Sequence, residues 1–250
     1  MTESKLPHPP SINILILASA KVPEQQGEYD YPMCLTEING MSLLECIVVN
    51  IQSIANAKLV CTFLESEAEQ FHLDKVASLL AKASRSILVP EQTQGSACSA
   101  LLAACQLDQS AELLIVSANE LVDCDLGAIV HGFRKRALDA GTLTFHSLHP
   151  RYSFVSLDDD GLVIEAAQRK PISANATAGI FWFARTADFV GGTKNLIRKG
   201  SCVDGSYFVA PVFNELILNN KKIGIFPLAL ETYIPLKTGQ QIDRYWGGVK

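Results

Sequence analysis

The stretch "NILILASAKVPEQQGEYDYPMCL", Asn13 to Leu35, is an apolar run followed by a long polar loop and then by Tyr31-Pro32. In an α/β chain a loop after the first strand is a common place to cradle phosphate, because glycines let backbone N–H groups approach an anion closely. This loop holds a single glycine, Gly27, so it offers few bare backbone donors. Seven cysteines, Cys34, Cys46, Cys61, Cys98, Cys105, Cys124 and Cys202, form an odd set with no C-x-x-C pair. They are expected to be small apolar fillers rather than a disulfide framework or a zinc site. The five histidines, His8, His72, His131, His146 and His149, share no ligand spacing. The triplet Asp158 to Asp160, just before Gly161, reads as a solvated turn.

The balance of charge narrows the partners. Net charge is −5, with 19% charged and 48% hydrophobic residues. That describes an ordinary globular protein and argues against a broad nucleic-acid or anionic-membrane surface. The basic run Phe133-Arg134-Lys135-Arg136 reads as the solvated face of a helix. No apolar run reaches 18 residues, and "MTESKLPHPP" lacks the apolar core of a signal peptide, so a soluble, cytoplasmic protein is expected.

Positioning these residues requires a particular order of elements. Strand-like runs "INILILA", "AKLVCTFL", "SILVP" and "AELLIVS" alternate with helix-like runs "GMSLLECIVVNIQSI", "EAEQFHLDKVASLLAKA", "SACSALLAACQL" and "LGAIVHGFRKRALDAG". Such alternation predicts an α/β fold with a mixed, mostly parallel central sheet and a ligand site at the carboxyl ends of the strands. After Leu143, "LTFHSL", "YSFVSLD" and "LVIEAA" predict a small antiparallel ribbon, and "AGIFWFA" returns to the central sheet. Helices over Asp188–Lys199 and Phe208–Asn219, a strand "KIGIFPL" and a terminal helix near Gln240–Tyr245 complete the order. One domain over residues 12–250 is expected, preceded by a disordered or extended segment over 1–11.

Four segments carry a family resemblance. "YPMCLTEINGMSLLE" (31–45), "TQGSACSALLAA" (93–104), "KPISANATAGIFWF" (170–183) and "SYFVAPVFNELI" (206–217) stand in the order found in the sugar-phosphate nucleotidyltransferases, or NDP-sugar pyrophosphorylases. The chain resembles that family from Asn13 to Tyr245. The resemblance implies a single Rossmann-like domain of the GT-A type. It also implies a site where a nucleoside triphosphate meets a sugar phosphate and pyrophosphate is displaced.

What it implies residue by residue divides in two. The family's donor loop, Gly-x-Gly-x-Arg, is "LASAKVPEQQG" here: Ala18, Ser19 and Ala20 replace the tight turn, Lys21 stands in for the arginine, and Glu24 adds negative charge. Met33 takes the place of a phosphate-binding lysine. Asn119 takes the place of an aspartate that binds Mg²⁺, and a neutral amide oxygen is a poor anchor for a hard dication. Glu120 is adjacent, yet successive strand residues face opposite ways, so it is not expected to replace that aspartate. Lys237 occupies the second metal position, where it would act as a surrogate cation. On the other side, Gln94, Gly95 and Ser96 match the nucleobase turn. Arg169 matches a lysine that meets the sugar phosphate, with Gln168 in place of its glutamate partner, and Lys170, Thr177, Gly179 and Asn214 match the acceptor positions.

For the matching positions a second reading stays open: Gly95 starting a helix, Gly179 allowing close packing, Asn214 lying on a core helix, and Asn119-Glu120 ending a strand and capping the next helix. Two functions follow. One is a nucleotidyltransferase of sugar-nucleotide metabolism, of the cell-envelope or capsule type, acting on a sugar phosphate or related phosphate ester, with Lys21 and Arg169 in catalysis and Mg²⁺ only if the site turns over. The other is a catalytically impaired relative that binds a nucleotide or sugar phosphate as a regulatory or partner subunit, alone as a homo-oligomer or with an active enzyme. Neither reading calls for nucleic acid or a membrane.

Overall fold

A computed structural model describes residues 10–19, 31–236 and 241. The first strand, β1 (Ile12–Leu17), is buried along its whole length. Side-chain alternation sends Ile14 and Ile16 into one apolar cluster and Leu15 and Leu17 into another, so the sheet is covered on both faces. After a short 3-10 turn (Met33–Leu35), β2 (Glu37–Ile38) and β3 (Met41–Ser42) form a small hairpin leading into α1 (Leu43–Ile51). Ser42 starts that helix by accepting a hydrogen bond from the Glu45 N–H at 3.2 Å.

β4 (Ala57–Leu64) is followed by α2 (Glu65–Phe71), α3 (Leu73–Leu80), β5 (Arg85–Val89) and α4 (Ser96–Ala104). The single helix expected over "EAEQFHLDKVASLLAKA" is thus two, because His72 adopts a left-handed conformation (φ +51°) that breaks it. The break re-aims the chain and buries Leu73 and Ala77. β6 (Glu112–Ser117), β7 (Glu120–Val122), α5 (Leu126–Lys135) and β8 (Ala140–His146) come next. They are followed by β9 (Ser153–Leu157), β10 (Val163–Gln168), β11 (Asn175–Phe183) and α6 (Thr186–Arg198). The last elements are α7 (Val212–Ile217), β12 (Ile223–Pro227), a 3-10 turn (Leu230–Thr232) and β13 (Tyr233–Pro235).

Nine strands form one mixed sheet in the order β10-β9-β11-β6-β1-β4-β5, with β8 on β11 and β12 on β8. β1 is parallel to both β4 and β6, and β5 is parallel to β4. β11 crosses to the antiparallel half, pairing β6, β8 and β9. The α/β fold is the one the sequence predicts, and the antiparallel ribbon is β9-β10. "LTFHSL", however, belongs to the central sheet as β8 and not to the ribbon. α7 is shorter than Phe208–Asn219 because it begins after Pro211, which disfavours helical backbone in the residue before it. The expected terminal helix lies outside the described residues apart from Gln241.

The basic run on α5 is not simply solvated. Phe133 is in the core, stacked on Trp182. Arg134 Nη2 donates to Glu112 Oε2 at 2.8 Å and Arg134 Nε to Glu112 Oε1 at 2.9 Å, while Trp182 Nε1 donates to Oε2 at 3.0 Å. Glu112 is buried, so its charge is tolerable only with these donors. Removing one member of a buried pair strands the other charge. Arg134→Met is therefore expected to lower stability by about 3 kcal/mol in chemical denaturation. The double change Arg134→Met with Glu112→Gln should recover part of that loss, and equal losses in the single and double variants would contradict the pairing.

Candidate functional site

A cleft of about 740 Å³ opens at the carboxyl ends of β1, β4 and β6. That is where an open α/β sheet offers its loops to a ligand. Leu17 and Ser19 come from β1 and the residues after it, Leu64 from the end of β4, and Ser117 from β6. Gly95 and Ser96 bring the start of α4, Thr177, Gly179 and Phe181 come from β11, and Ser153, Gln168 and Arg169 from the open end of the ribbon. The segment from Ser206 to Ala210 closes one side.

The floor is built around Glu120. β6 ends at Ser117 and the chain turns at Ala118-Asn119, so strand alternation does not carry across to Glu120. Both Asn119 and Glu120 line the cleft, which corrects the expectation that they face opposite ways. Glu120 is 3% exposed, and its Oε2 accepts a hydrogen bond of 2.5 Å from the Tyr233 hydroxyl on β13. Burial first, and the negative charge of Glu120 second, push that hydroxyl well above the usual tyrosine range, so it stays a protonated donor.

Gly179 lies under the same carboxyl group. It sits in a β11 bulge: the strand takes the four steps from Thr177 to Phe181 where β8 takes only the two from Thr144 to Thr142. Thr142 Oγ1 donates to the Ile180 carbonyl at 2.7 Å within this irregular stretch. A Cβ on Gly179 would stand 1.8 Å from Glu120 Oε1, and its φ is +63°. Gly95 is held just as closely, at φ +95°, with a Cβ position 2.4 Å from the Tyr207 carbonyl oxygen. The backbone bonds from Tyr207 N–H to Gln94 C=O (2.8 Å) and from Ala97 N–H to Tyr207 C=O (3.0 Å) fasten this wall. Both glycines line the cleft and leave no room for a side chain against these neighbours.

The other expected positions separate. Ser19, Ser96, Asn119, Arg169 and Thr177 line the cleft. Ala18 is in the core behind it, its N–H donating to Thr62 C=O at 3.1 Å. Gln94 is exposed and contributes its carbonyl to Tyr207, and Lys170 is exposed outside the lining. Asn214 is turned to β10: its amide donates to Ala166 C=O and accepts from Ala166 N–H, both at 2.8 Å, so its side chain joins α7 to β10. Lys21 and Lys237 lie outside the described residues.

Sequence reasoning missed His149, Arg151 and Tyr233. Arg151 follows His149 in the loop between β8 and β9, and its Nε donates to His149 Nδ1 at 3.3 Å; both line the cleft. Ser153 and Gln168, register partners on β9 and β10, are hydrogen-bonded side chain to side chain between the two arginines. Their signal is spatial, since only the ribbon pairing brings 151 and 169 to one end.

The chemistry of the floor can be tested against a divalent cation. Asn119 Oδ1 is buried and has no hydrogen-bond partner among the described residues. A neutral amide oxygen seeks an N–H or O–H donor as readily as a metal. One oxygen of the neighbouring carboxyl, Glu120 Oε2, is engaged by Tyr233, and no group of three metal-binding side chains occurs among the described residues. With a neutral amide at Asn119 and Glu120 Oε2 held by Tyr233, the described residues are a poor anchor for Mg²⁺.

Neither a protein-family model nor a curated protein sequence matches the chain. Solved structures do match its fold. A nucleoside-diphosphate-sugar pyrophosphorylase from Vibrio cholerae aligns with a TM-score of 0.77 at 18% identity, covering 93% of this chain and 98% of that one. A CTP:phosphocholine cytidylyltransferase from Streptococcus pneumoniae aligns at 0.71 and 13% identity, covering 96% and 100%. At such identities the likeness shows the fold and leaves the chemistry to the residues in the cleft. No helix among the described residues is long and apolar enough to cross a membrane.

The floor geometry has a direct consequence for Gly179→Ala. A left-handed alanine costs about 1–3 kcal/mol, and here the new methyl must also push the Glu120 carboxyl aside. The variant should melt about 3–10 °C lower whether or not a ligand is present. An unchanged melting temperature combined with weaker ligand binding would instead assign Gly179 to ligand approach.

Proposed function

We propose that the cleft binds a nucleotide together with a sugar phosphate or related phosphate ester, and that the chain is a nucleotidyltransferase-like protein of sugar-nucleotide metabolism, of the cell-envelope or capsule type. The observation that carries this reading is the joining, in one cleft at the strand ends, of Gly95 and Ser96 at the start of α4 with Arg169 and Arg151. A guanidinium matches phosphate geometry, and Ser96 brings its hydroxyl into the same cleft from the start of α4, where Ala97 N–H is already taken by Tyr207 C=O. The many hydroxyl side chains around them, among them Ser99, Ser117, Ser153 and Thr177, suit a ligand rich in polar groups.

In the transferase reading, an acceptor phosphate oxygen attacks the α-phosphorus of a nucleoside triphosphate. A new P–O bond forms, and the α,β-bridging bond breaks with its electron pair leaving on pyrophosphate. Arg169, Arg151 and Lys170 supply cationic groups near the acceptor side, with Arg169 and Arg151 in the cleft itself. Lys21 is proposed for the leaving group and Lys237 as a metal surrogate. No step is assigned to Mg²⁺, because the described donors are a poor anchor for it.

A second reading is favoured by Asn119 and by the Tyr233-capped Glu120: a relative that holds its ligand without turnover, as a homo-oligomer or as the partner subunit of an active enzyme. Calorimetry with nucleoside diphosphates, sugar nucleotides and nucleoside triphosphates distinguishes the readings, together with a pyrophosphate-release assay. The account expects a diphosphate or sugar nucleotide to bind more tightly than the matching triphosphate, with little change in EDTA. At a ligand concentration of about 100 times Kd the melting temperature should rise by about 5–10 °C. Tighter, Mg²⁺-dependent triphosphate binding with pyrophosphate release would establish ordinary metal-assisted transfer instead.

A further inference from the structure

One ion pair joins two walls of the cleft. Arg169 leaves β10 in a left-handed conformation, φ +58°, and its N–H donates to Tyr152 C=O at 3.0 Å, which fixes its backbone at the open end of the ribbon. Its Nη1 meets Asp204 Oδ2 at 2.5 Å. Asp204 stands on a tight turn closed by Val203 N–H to Ser206 C=O (2.9 Å) and Ser206 N–H to Val203 C=O (3.0 Å). That turn runs into Tyr207, which is bonded to Gln94 and Ala97 beside Gly95. The carboxylate thus reaches Arg169 from a wall that is anchored independently of the ribbon.

We propose that Asp204 is a displaceable counter-ion, holding the Arg169 guanidinium in the cleft until a phosphoryl group of the ligand replaces it, and so selecting for a dianion. This rests on the reading that the cleft takes a phosphate ester. The pair is well exposed, its side chains 52% and 69% accessible, and exposed ion pairs exchange at little cost. It is made through one hydrogen bond, Nη1 to Oδ2, whereas a guanidinium fork can hold phosphate through two. A ligand carboxylate would replace Asp204 like for like and gain nothing in charge. A phosphate dianion brings a second charge, with Arg151 lining the same cleft.

Inorganic phosphate is the probe that tests this, titrated at constant ionic strength into all four ¹⁵N-labelled proteins while backbone amide resonances lining the cleft, such as those of Ser96 and Thr177, are followed, with the Arg169 Nε–Hε resonance as a second readout where Arg169 is present. Asp204→Asn should tighten phosphate binding by about two- to fivefold, the value of an exposed ion pair. Arg169→Gln should weaken it by about tenfold, and Asp204→Asn should have no effect in the Arg169→Gln background. Both side chains are exposed, so unchanged melting curves will confirm that the variants fold. Weaker or unchanged phosphate binding in Asp204→Asn, with Arg169→Gln still impaired, overturns the counter-ion role while leaving the binding reading intact. If Arg169→Gln binds phosphate as the unaltered protein does, or if none of the four proteins binds it, the phosphate-ester reading fails and the counter-ion role fails with it.

Discussion

The cleft depends on where the Glu120 carboxyl group can sit. It is buried at the meeting point of β6, β7 and β11, and a group of that kind is tolerated only with a donor and enough room. Tyr233 supplies the donor from the far end of the chain, 113 residues away in sequence. The room comes from Gly179, whose missing side chain and left-handed backbone leave the space the carboxyl occupies. The β11 bulge, the β7-β13 pairing and the turn at Asn119 meet at this one group. An alanine at 179, or the loss of the Tyr233 hydroxyl, would disturb all three together.

With that carboxyl engaged, the cleft's chemistry moves from its floor to its rim. A transferase of the resembled family neutralises its triphosphate with glycine backbone, cations and Mg²⁺. Here the described cations in the cleft are guanidiniums at the end of the ribbon, and Asn119 offers an uncharged oxygen. On the proposed reading, such a site takes a phosphate ester through N–H donors. Buried thiols add no reactive centre to it: burial pushes Cys34 and Cys61 up to about 12, far from the thiolate range.

The sequence made the fold legible because β1, β4 and β6 are apolar runs of the right length separated by amphipathic helices, a local signal. It also pointed to Gly95 and Gly179, which line the cleft and which the structure sets close against Tyr207 and Glu120. Elsewhere local rules fell short. Alternation misplaced Glu120 because the strand ends three residues earlier. Asn214 matched a family position, yet its amide is committed to the backbone of β10. Arg151 comes to the cleft, and Asp204 and Tyr233 come to Arg169 and Glu120, from parts of the chain distant in sequence, which periodicity does not encode. His72 broke a helix that propensity would continue, since tertiary packing of Leu73 outweighs local preference.

Anomalous diffraction from crystals soaked with a sugar nucleotide and millimolar Mn²⁺ tests the central claim most directly. The account predicts a phosphate against Arg169, Asp204 swung away from it, the Tyr233–Glu120 contact retained, and no anomalous peak beside Asn119. A manganese peak between Glu120 and the ligand's phosphates, with Tyr233 displaced, would contradict it.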